Sequence, residues 1–519
     1  MTLPPSDPGS EAFATASDMK IEATIDGGVR SAVSHGPAPG SLDRSFVRGI
    51  AWQGGVKWMV QLVTWATTIV VARILSPADY GLLSMSNVLL TFITLLSESG
   101  LGITVVRTRA ITDEQVAQIN SAAVLMGVAC FAIACLVAVP VGRFYRAPEL
   151  PAVIVAMSFA LVVAGFRVVS GALLQRDLRF PRLAVIDGMQ GLIQAFATLI
   201  LAKLGFRYWS LVLGSLFGAS IGTAVTVATR PYKFSWPRRE TLRPVFTFTR
   251  EVLGARLLWY IYQDSDFVVA GRRLGRQALG VYSYAWTLAS LPVDKITAMV
   301  GTVTSPVFAA VQDDHVALRR YFLTVTEGLA TLTFPLTIGI ALVASELVPV
   351  ILGPKWTAVT LPLQALAAYA SIRTITPIAG HALVVLGETK FGVRLGIVDA
   401  IGLPTAFYIG SHWGTTGIAI AWAIAHPILV YIPSSIWLFR RLEVSWSSYV
   451  RALWPAISGC LVMTVAVPLV RMVVPTGLAT GLRLALEVLA GATAYAACLF
   501  LFHRARVDKV WALWRHRAA

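Results

Sequence analysis

Four basic residues stand inside stretches that otherwise belong in hydrocarbon: Lys57, Arg167, Arg256 and Arg373. A charge within a membrane-spanning helix is expensive, so each is a functional candidate by default. They fall into two pairs with similar intervals, Lys57 to Arg256 by 199 residues and Arg167 to Arg373 by 206. Four cations facing one another would make a pocket for an anionic group, and arginine offers phosphate two parallel hydrogen bonds. Lys57 has a second option, snorkelling to the nearer interface. Three carboxylates lie among the same apolar stretches. Asp264 and Asp266 stand toward the end of one, and Asp399 stands in the middle of another, 212 residues after Asp187.

The carboxylates admit several chemistries. Asp264-Ser265-Asp266 has the form of the metal-binding DxD of glycosyltransferases, but it falls in a helix where that motif needs a loop. Structural pairing with Arg272 or Arg273 is one alternative. A site for a coupling Na+ or H+, shared with Asp399, is another. Glu98, Glu327, Glu346 and Glu487 lie closer to helix ends and read as interfacial, and Pro377 four residues before His381 marks a place where a helix can break. Nothing has the spacing of a hydrolytic triad, a phosphate-binding loop or a zinc site. Cys130, Cys135, Cys460 and Cys498 lie in apolar stretches without metal-type spacing and read as packing residues. The expectation is a chain that is not an enzyme, with no catalytic residues, no metal and no cofactor.

The elements that must position these residues are membrane helices. Of the 519 residues 56% are hydrophobic and 13% charged, with a mean hydropathy of +0.70, which excludes an ordinary soluble protein. Apolar runs long enough to cross about 30 Å of hydrocarbon recur throughout. They place helices near 52–71, 82–103, 119–141, 151–174, 183–202, 208–229, 251–271, 279–302, 321–345, 360–386, 393–410, 414–438, 452–472 and 481–502, fourteen in all; twelve would require misreading the polar spans 251–271 and 360–386. The fold class is therefore all-α and polytopic. Residues 1–45 are polar and rich in Pro, Ser, Gly and Ala, with no apolar core, and read as a disordered cytoplasmic tail. The net charge of +16 does not point to nucleic acid, because the basic residues gather in alternate connections, most densely over 230–250. That asymmetry puts both termini in the cytoplasm, and basic loops beside anionic headgroups account for the charge.

The chain also repeats itself. Val71-Ala72-Arg73-Ile74-Leu75 running to Tyr80-Gly81-Leu82 is echoed by Val269-Ala270-Gly271-Arg272-Arg273-Leu274 running to Leu279-Gly280-Val281. Asp113-Glu114-Gln115-Val116-Ala117 returns as Asp313-Asp314-His315-Val316-Ala317, a shift of 200 residues. Two six-helix lobes, 46–230 and 245–440, follow from this, joined by a basic cytoplasmic linker over 231–244. An even helix number gives both lobes the same orientation, related by a pseudo-two-fold axis along the membrane normal. Helices thirteen and fourteen, within 441–502, form an appendage, and 503–519 is a basic cytoplasmic tail. Gly214, Gly218 and Gly222 make a small-residue stripe suited to close helix packing.

On Leu75-Ser76-Pro77-Ala78-Asp79-Tyr80-Gly81 with Ser99-Gly100-Leu101-Gly102, and on Asp266-Phe267-Val268-Val269-Ala270-Gly271 with Leu279-Gly280-Val281-Tyr282-Ser283, the chain resembles Wzx-type polysaccharide flippases. These belong to the multidrug/oligosaccharidyl-lipid/polysaccharide exporter superfamily, and the colanic-acid-exporter branch is the most similar. The resemblance covers roughly residues 45–440. It implies alternating-access flipping of an undecaprenyl-pyrophosphate-linked oligosaccharide across the bacterial inner membrane, for exopolysaccharide, capsule or O-antigen assembly. Lys57, Arg167, Arg256 and Arg373 would line the cationic cavity. In the related lipid II flippases a sodium site lies between helices seven and eleven, to which Asp264 or Asp266 and Asp399 would correspond. The implied partners are the lipid-linked oligosaccharide, membrane lipids, and a polysaccharide polymerase with other assembly components. A drug/cation antiporter of the same superfamily would want an acidic cavity. An integral-membrane glycosyltransferase would want a large outer loop, and every connection here is short.

Overall fold

The computed structural model describes residues 60–97, 100–108, 111–238, 240–241, 260–475, 477–504 and 506. By its contacts the chain divides into two compact units, Met1–Gln61 and Leu62–Ala519, and nearly all described residues belong to the second. Among the described residues there are helices and no strands. A chain this apolar can satisfy its backbone polar groups in hydrocarbon within each helix.

The helices are α1 (Val60–Ile74), α2 (Pro77–Ser97), α3 (Leu101–Arg107), α4 (Asp113–Tyr145), α5 (Leu150–Arg176), α6 (Phe180–Lys203) and α7 (Tyr208–Thr229), then α8 (Ser265–Ala310), α9 (His315–Ile351), α10 (Thr360–Val385), α11 (Thr389–Gly410), α12 (Gly414–His426), α13 (Ile432–Leu442), α14 (Trp446–Val473) and α15 (Thr480–Phe502). Among the described residues, nine helical runs are long and apolar enough to cross a membrane, one of them the 53-residue stretch Lys390–Leu442, which takes in two of the expected spans. The other four expected spans fall on α1, the two arms of α8, and α10. The first and seventh lie partly outside the described residues.

Three local features differ from expectation. The connection expected over 272–278 is a single break inside α8, at Gly275 (φ 81, ψ 178), a conformation that glycine alone adopts freely. The expected twelfth helix contains a π turn, Pro427–Tyr431, between α12 and α13, where the proline removes a backbone donor. Helix α10 continues through Pro377 without a break.

Both copies of the Asp-rich repeat start helices. Thr112 and Gln115 form a reciprocal capping box at the head of α4. Asp314 caps α9 by accepting from the backbone N–H of Val316 and Ala317.

The residues on either side of the linker, 62–238 and 260–442, meet mainly at one end of the bundle, here termed the gate end; the opposite end, which carries 230–238, is the linker end. At the gate end Trp356 donates its indole N–H to the Ala72 carbonyl (2.9 Å), and Arg73 Nε donates to the Ile351 carbonyl (2.8 Å). Tyr80 packs edge-on against Tyr284 and Trp356. A single hydrophobic core there draws Leu82, Met85, Tyr145 and Leu150 together with Leu279, Tyr282, Trp356 and Trp422. Toward the linker end the halves keep separate cores, one around Val105, Ile119 and Val169, the other around Phe322, Phe439 and Tyr449.

The tightest contact between the halves is where α2 crosses the second arm of α8. A Cβ on Gly81 would stand 2.6 Å from the Arg276 carbonyl carbon and 3.0 Å from the Gly280 nitrogen. A Cβ on Gly280 would stand 2.6 Å from the Pro77 carbonyl carbon and 3.0 Å from the Gly81 nitrogen. The contacts are reciprocal, as they are across a two-fold axis. They fall on Tyr80-Gly81-Leu82 and Leu279-Gly280-Val281, the segments that repeat in the sequence.

Helices α14 and α15 are clamped to α9 by a buried ion cluster. Arg471 bonds Glu346 (2.6 Å) and Glu487 (2.8 Å), and Arg483 approaches Glu487 from the next turn (3.5 Å). Arg506 pairs with Glu327 (2.5 Å) at the other end of the same face. Glu346, Glu327 and Glu487, expected as interfacial groups, are thus fasteners of these two helices.

Candidate functional site

Arg167 extends from α5 toward α6, where it donates to Gln190 Oε1 (2.6 Å) and pairs with Asp187. The partners are three residues apart on one helix face. The glycine stripe of α7 makes room for that face. A Cβ on Gly218 would stand 2.8 Å from the Gln194 Cβ, and one on Gly222 would run into the Gln190 side chain. Close packing of α7 on α6 therefore sets the amide that orients Arg167.

Arg373 is held in the other half by one face of α8. It donates to Ser290 Oγ (2.6 Å) and Asp294 Oδ1 (2.9 Å), and its guanidinium lies over the Trp286 ring, 4.9 Å from the centroid. Trp286, Ser290 and Asp294 recur at four-residue intervals, the spacing of one helical stripe. The two arginines have the same kind of setting, with one neutral acceptor and one carboxylate each, although the carboxylates come from helices that are not repeat-related. Asp187 and Asp294 have side chains 62% and 58% exposed, while Arg167 and Arg373 are 27% and 24% exposed. Each cation is thus partly shielded behind a carboxylate that an incoming anion can reach. Lys57 and Arg256, the other members of the expected basic quartet, lie outside the described residues, and Arg167 and Arg373 each bond partners within their own half.

The acidic candidates separate sharply. Asp266 is completely buried and accepts from Tyr282 Oη (2.6 Å), Trp422 Nε1 (2.8 Å) and the Phe267 N–H (2.8 Å). It ties α8 to α12, and its acceptor capacity is largely used. Asp264 is the N-cap residue of α8 and makes no side-chain cap. Arg272 and Arg273, considered as partners for these carboxylates, turn elsewhere: Arg272 lies over the Phe144 ring, and Arg273 donates to Tyr408 Oη (3.2 Å) and stacks on that ring. Asp399 is 3% exposed, and its Oδ1 has no hydrogen-bond partner among the described residues. Among the described residues no group of His, Cys, Asp and Glu is arranged to hold a metal ion.

Sequence reasoning passed over four participants, Gln190, Trp286, Ser290 and Asp294. The stripe of Trp286, Ser290 and Asp294 was a legible signal, since it places one aromatic, one hydroxyl and one carboxylate on a single helix face.

Residues 70–361 match a family described as polysaccharide biosynthesis protein. Among curated relatives, the lipopolysaccharide biosynthesis protein WzxC of Escherichia coli (strain K12) is 23% identical over 426 residues, covering 80% of this chain and 85% of that protein. The teichuronic acid biosynthesis protein TuaB of Bacillus subtilis (strain 168) is 24% identical over 427 residues, covering 80% and 86%. Among solved structures, the fold is similar to that of the lipid II flippase MurJ in an inward closed conformation, with a TM-score of 0.72 at 11% identity over 88% of this chain and 100% of that one. It is also similar to an inward-facing multidrug resistance MATE family transporter of the MOP superfamily, at a TM-score of 0.59 and 15% identity over 75% and 97%.

Proposed function

The chain belongs to the polysaccharide biosynthesis protein family, and from that premise we propose that it flips a lipid-linked oligosaccharide, carried on undecaprenyl pyrophosphate, from the inner to the outer leaflet of a bacterial inner membrane. The observation that carries this reading is the pair Arg167–Asp187 and Arg373–Asp294, two guanidinium groups within spanning helices whose carboxylate partners are accessible. A pyrophosphate arriving at such a pair replaces the carboxylate, and a guanidinium can offer it two parallel hydrogen bonds. Lys57 and Arg256 extend the same cationic surface in this reading. The relatives' names and the flippase-like fold support the substrate class.

With the basic linker in the cytoplasm, the gate end faces outward and is closed, so Arg167 and Arg373 are approached from the leaflet where the lipid-linked sugar is made. Rocking of the halves about the gate end would exchange access. Two negative charges crossing an inside-negative potential of about 100 mV gain about 4–5 kcal/mol, at roughly 2.3 kcal/mol per charge. That drives net flipping without a nucleotide and without an obligatory Na+ or H+. Asp399 then serves to orient the cationic surface, and Asp264 and Asp266 are structural. The chain is a carrier and not a glycosyltransferase.

The test is export in cells lacking the native gene. Arg167→Ala and Arg373→Ala should each reduce polysaccharide export at normal membrane abundance, and Arg→Lys should restore it only in part because the second hydrogen bond is lost. Normal export by both Ala variants at native expression would overturn the assignment of this pair.

A further inference from the structure

A second arginine cluster stands at the gate end, away from Arg167 and Arg373. Between the end of α4 and the Gly275 break of α8 lies a cavity of about 440 Å³, lined by Arg146, Glu149, Arg272, Arg273, Arg276 and Met85 among others. Its walls come from both halves of the molecule. Four arginines thus share one small space with one glutamate.

Their partners are unevenly distributed. Arg276 bonds Glu149 across the gap (2.8 Å), and Arg273 is occupied by Tyr408. Arg272 lies over the Phe144 ring, 5.5 Å to the centroid. Neither Arg146 nor Arg272 has a carboxylate partner among the described residues. Four guanidinium groups lining one cavity give it a positive potential, which an entering anion lowers. The backbone is shaped to hold them there. Arg146 occupies the left-handed region at the end of α4 (φ 55), and Gly275 does so between Arg273 and Arg276 (φ 81). The cavity is wide enough for a phosphate or pyrophosphate group, and guanidinium is the side chain best matched to one.

We propose that this cavity is a second anion site, selective for phosphate-type dianions, and that its occupancy holds the gate end closed. The closure follows from the geometry. Arg146 belongs to one half and Arg272 to the other, so an anion bound by both resists their separation. Two sources supply this chemistry: the pyrophosphate headgroup of a lipid already delivered to the outer leaflet, or a free phosphate anion. The first source rests on the proposed flipping; the site and its effect on closure do not.

The experiment follows the gate through Met85, which lines the cavity and is fully buried. In full-length purified protein with Cys130, Cys135, Cys460 and Cys498 replaced, Met85→Cys is alkylated only when the halves part. Inorganic pyrophosphate should slow that alkylation about tenfold against chloride at equal ionic strength. Arg146→Ala with Arg272→Ala should abolish the effect, and Arg167→Ala with Arg373→Ala should leave it intact. In protein with its native Met85 and cysteines, pyrophosphate should also raise Tm, which guards against a variant that fails to fold. An effect retained without Arg146 and Arg272, an effect lost without Arg167 and Arg373, or an equal effect from chloride would overturn the proposal. Protection in vesicles containing a polyprenyl pyrophosphate, absent with the polyprenyl alcohol, assigns the source to the headgroup; protection by soluble anion alone assigns it to free phosphate. A protein that flips nothing yet shows this protection would fail the proposed function and keep the site.

Discussion

Replacing Gly81 with alanine should force the gate end apart. The added Cβ would lie 2.6 Å from the Arg276 carbonyl carbon, where ordinary van der Waals contact begins at 3.4 Å. The obstacle is backbone, so no side chain can swing clear. Overpacking of this kind costs about 1–3 kcal/mol, and a rigid neighbour puts the cost toward the upper part of that range, about 2–3 kcal/mol. The clash lies between the two halves, so their separation relieves it without unfolding either one. The energy therefore appears as a population shift of roughly 30- to 140-fold away from the closed gate, at about 1.4 kcal/mol per factor of ten.

Alkylation of Met85→Cys reads that shift directly, and the rate should rise by at least about 30-fold in Gly81→Ala while polysaccharide export falls. Gly280→Ala should do the same, because its contacts mirror those of Gly81. Gly171→Ala is the control, since nothing lies within 4 Å of a Cβ at that position of α5. An alkylation rate in Gly81→Ala equal to that in Gly171→Ala would refute the backbone contact and the reading of this crossing as the gate.

Three further outcomes are expected. Asp399→Asn should lower substrate affinity in proteoliposomes while leaving the response to an imposed potential unchanged; ion-gradient dependence in the wild type that vanishes in the variant, with affinity intact, would show that Asp399 couples an ion. The backbone N–H of Glu149 first, and the Arg276 guanidinium second, hold the Glu149 carboxyl below its ordinary value of 4.5, so its contribution to closure is present above that value and is lost as pH falls through the depressed one. A spin-label pair across the gate should thus report no Glu149-dependent opening between about pH 5.5 and 8, and an opening in that range abolished by Glu149→Gln would contradict the assignment. Glu487→Ala should leave Arg471 and Arg483 short of their shared carboxylate and loosen α14 and α15, at a cost of about 3 kcal/mol, read as a lower Tm and faster proteolysis after Val473; an unchanged Tm would mean the cluster fastens nothing.

Much of the helix plan was legible because hydropathy reports length in lipid directly. Each expected span falls mainly on helix where it is described, although the second, 82–103, runs past the end of α2 and across Gly100 into α3, and the repeated Asp113 and Asp313 segments proved to be matching helix starts. The repeat around Gly81 and Gly280 was legible as a pattern but not as a contact, since two helices crossing on an axis leave no mark in either sequence segment alone. The break at Gly275 was hidden for a related reason, as the arginines around it resemble an ordinary polar loop. In the candidate site, Arg167 and Arg373 stood out from the cost of charge in hydrocarbon. The same criterion applied to Asp294, which lies in the span 279–302, but its neighbour Lys295 makes the pair resemble a solvated helix surface. For Asp266 a structural role was legible as one alternative but its partners were not, because Tyr282 and Trp422 are 16 and 156 residues away.

The pairing of each arginine with an aspartate bears on how a carrier can keep cations inside a membrane at all. An unpaired guanidinium at that depth would be costly in every empty return step. Bonded to Asp187 and Asp294, the two arginines present no net charge when the site is empty, so the empty protein can reorient without moving these charges through the field as an excess. In the proposed function a pyrophosphate would take over the guanidinium bonds and return the carboxylates to water, which their exposure already permits. The loaded form then carries the negative charge that the membrane potential expels. The same exchange sets a threshold for binding: a neutral sugar cannot displace a carboxylate from arginine, whereas a dianion can. On this argument selectivity for the phosphate end of the substrate resides in Asp187 and Asp294 as much as in the arginines they hold.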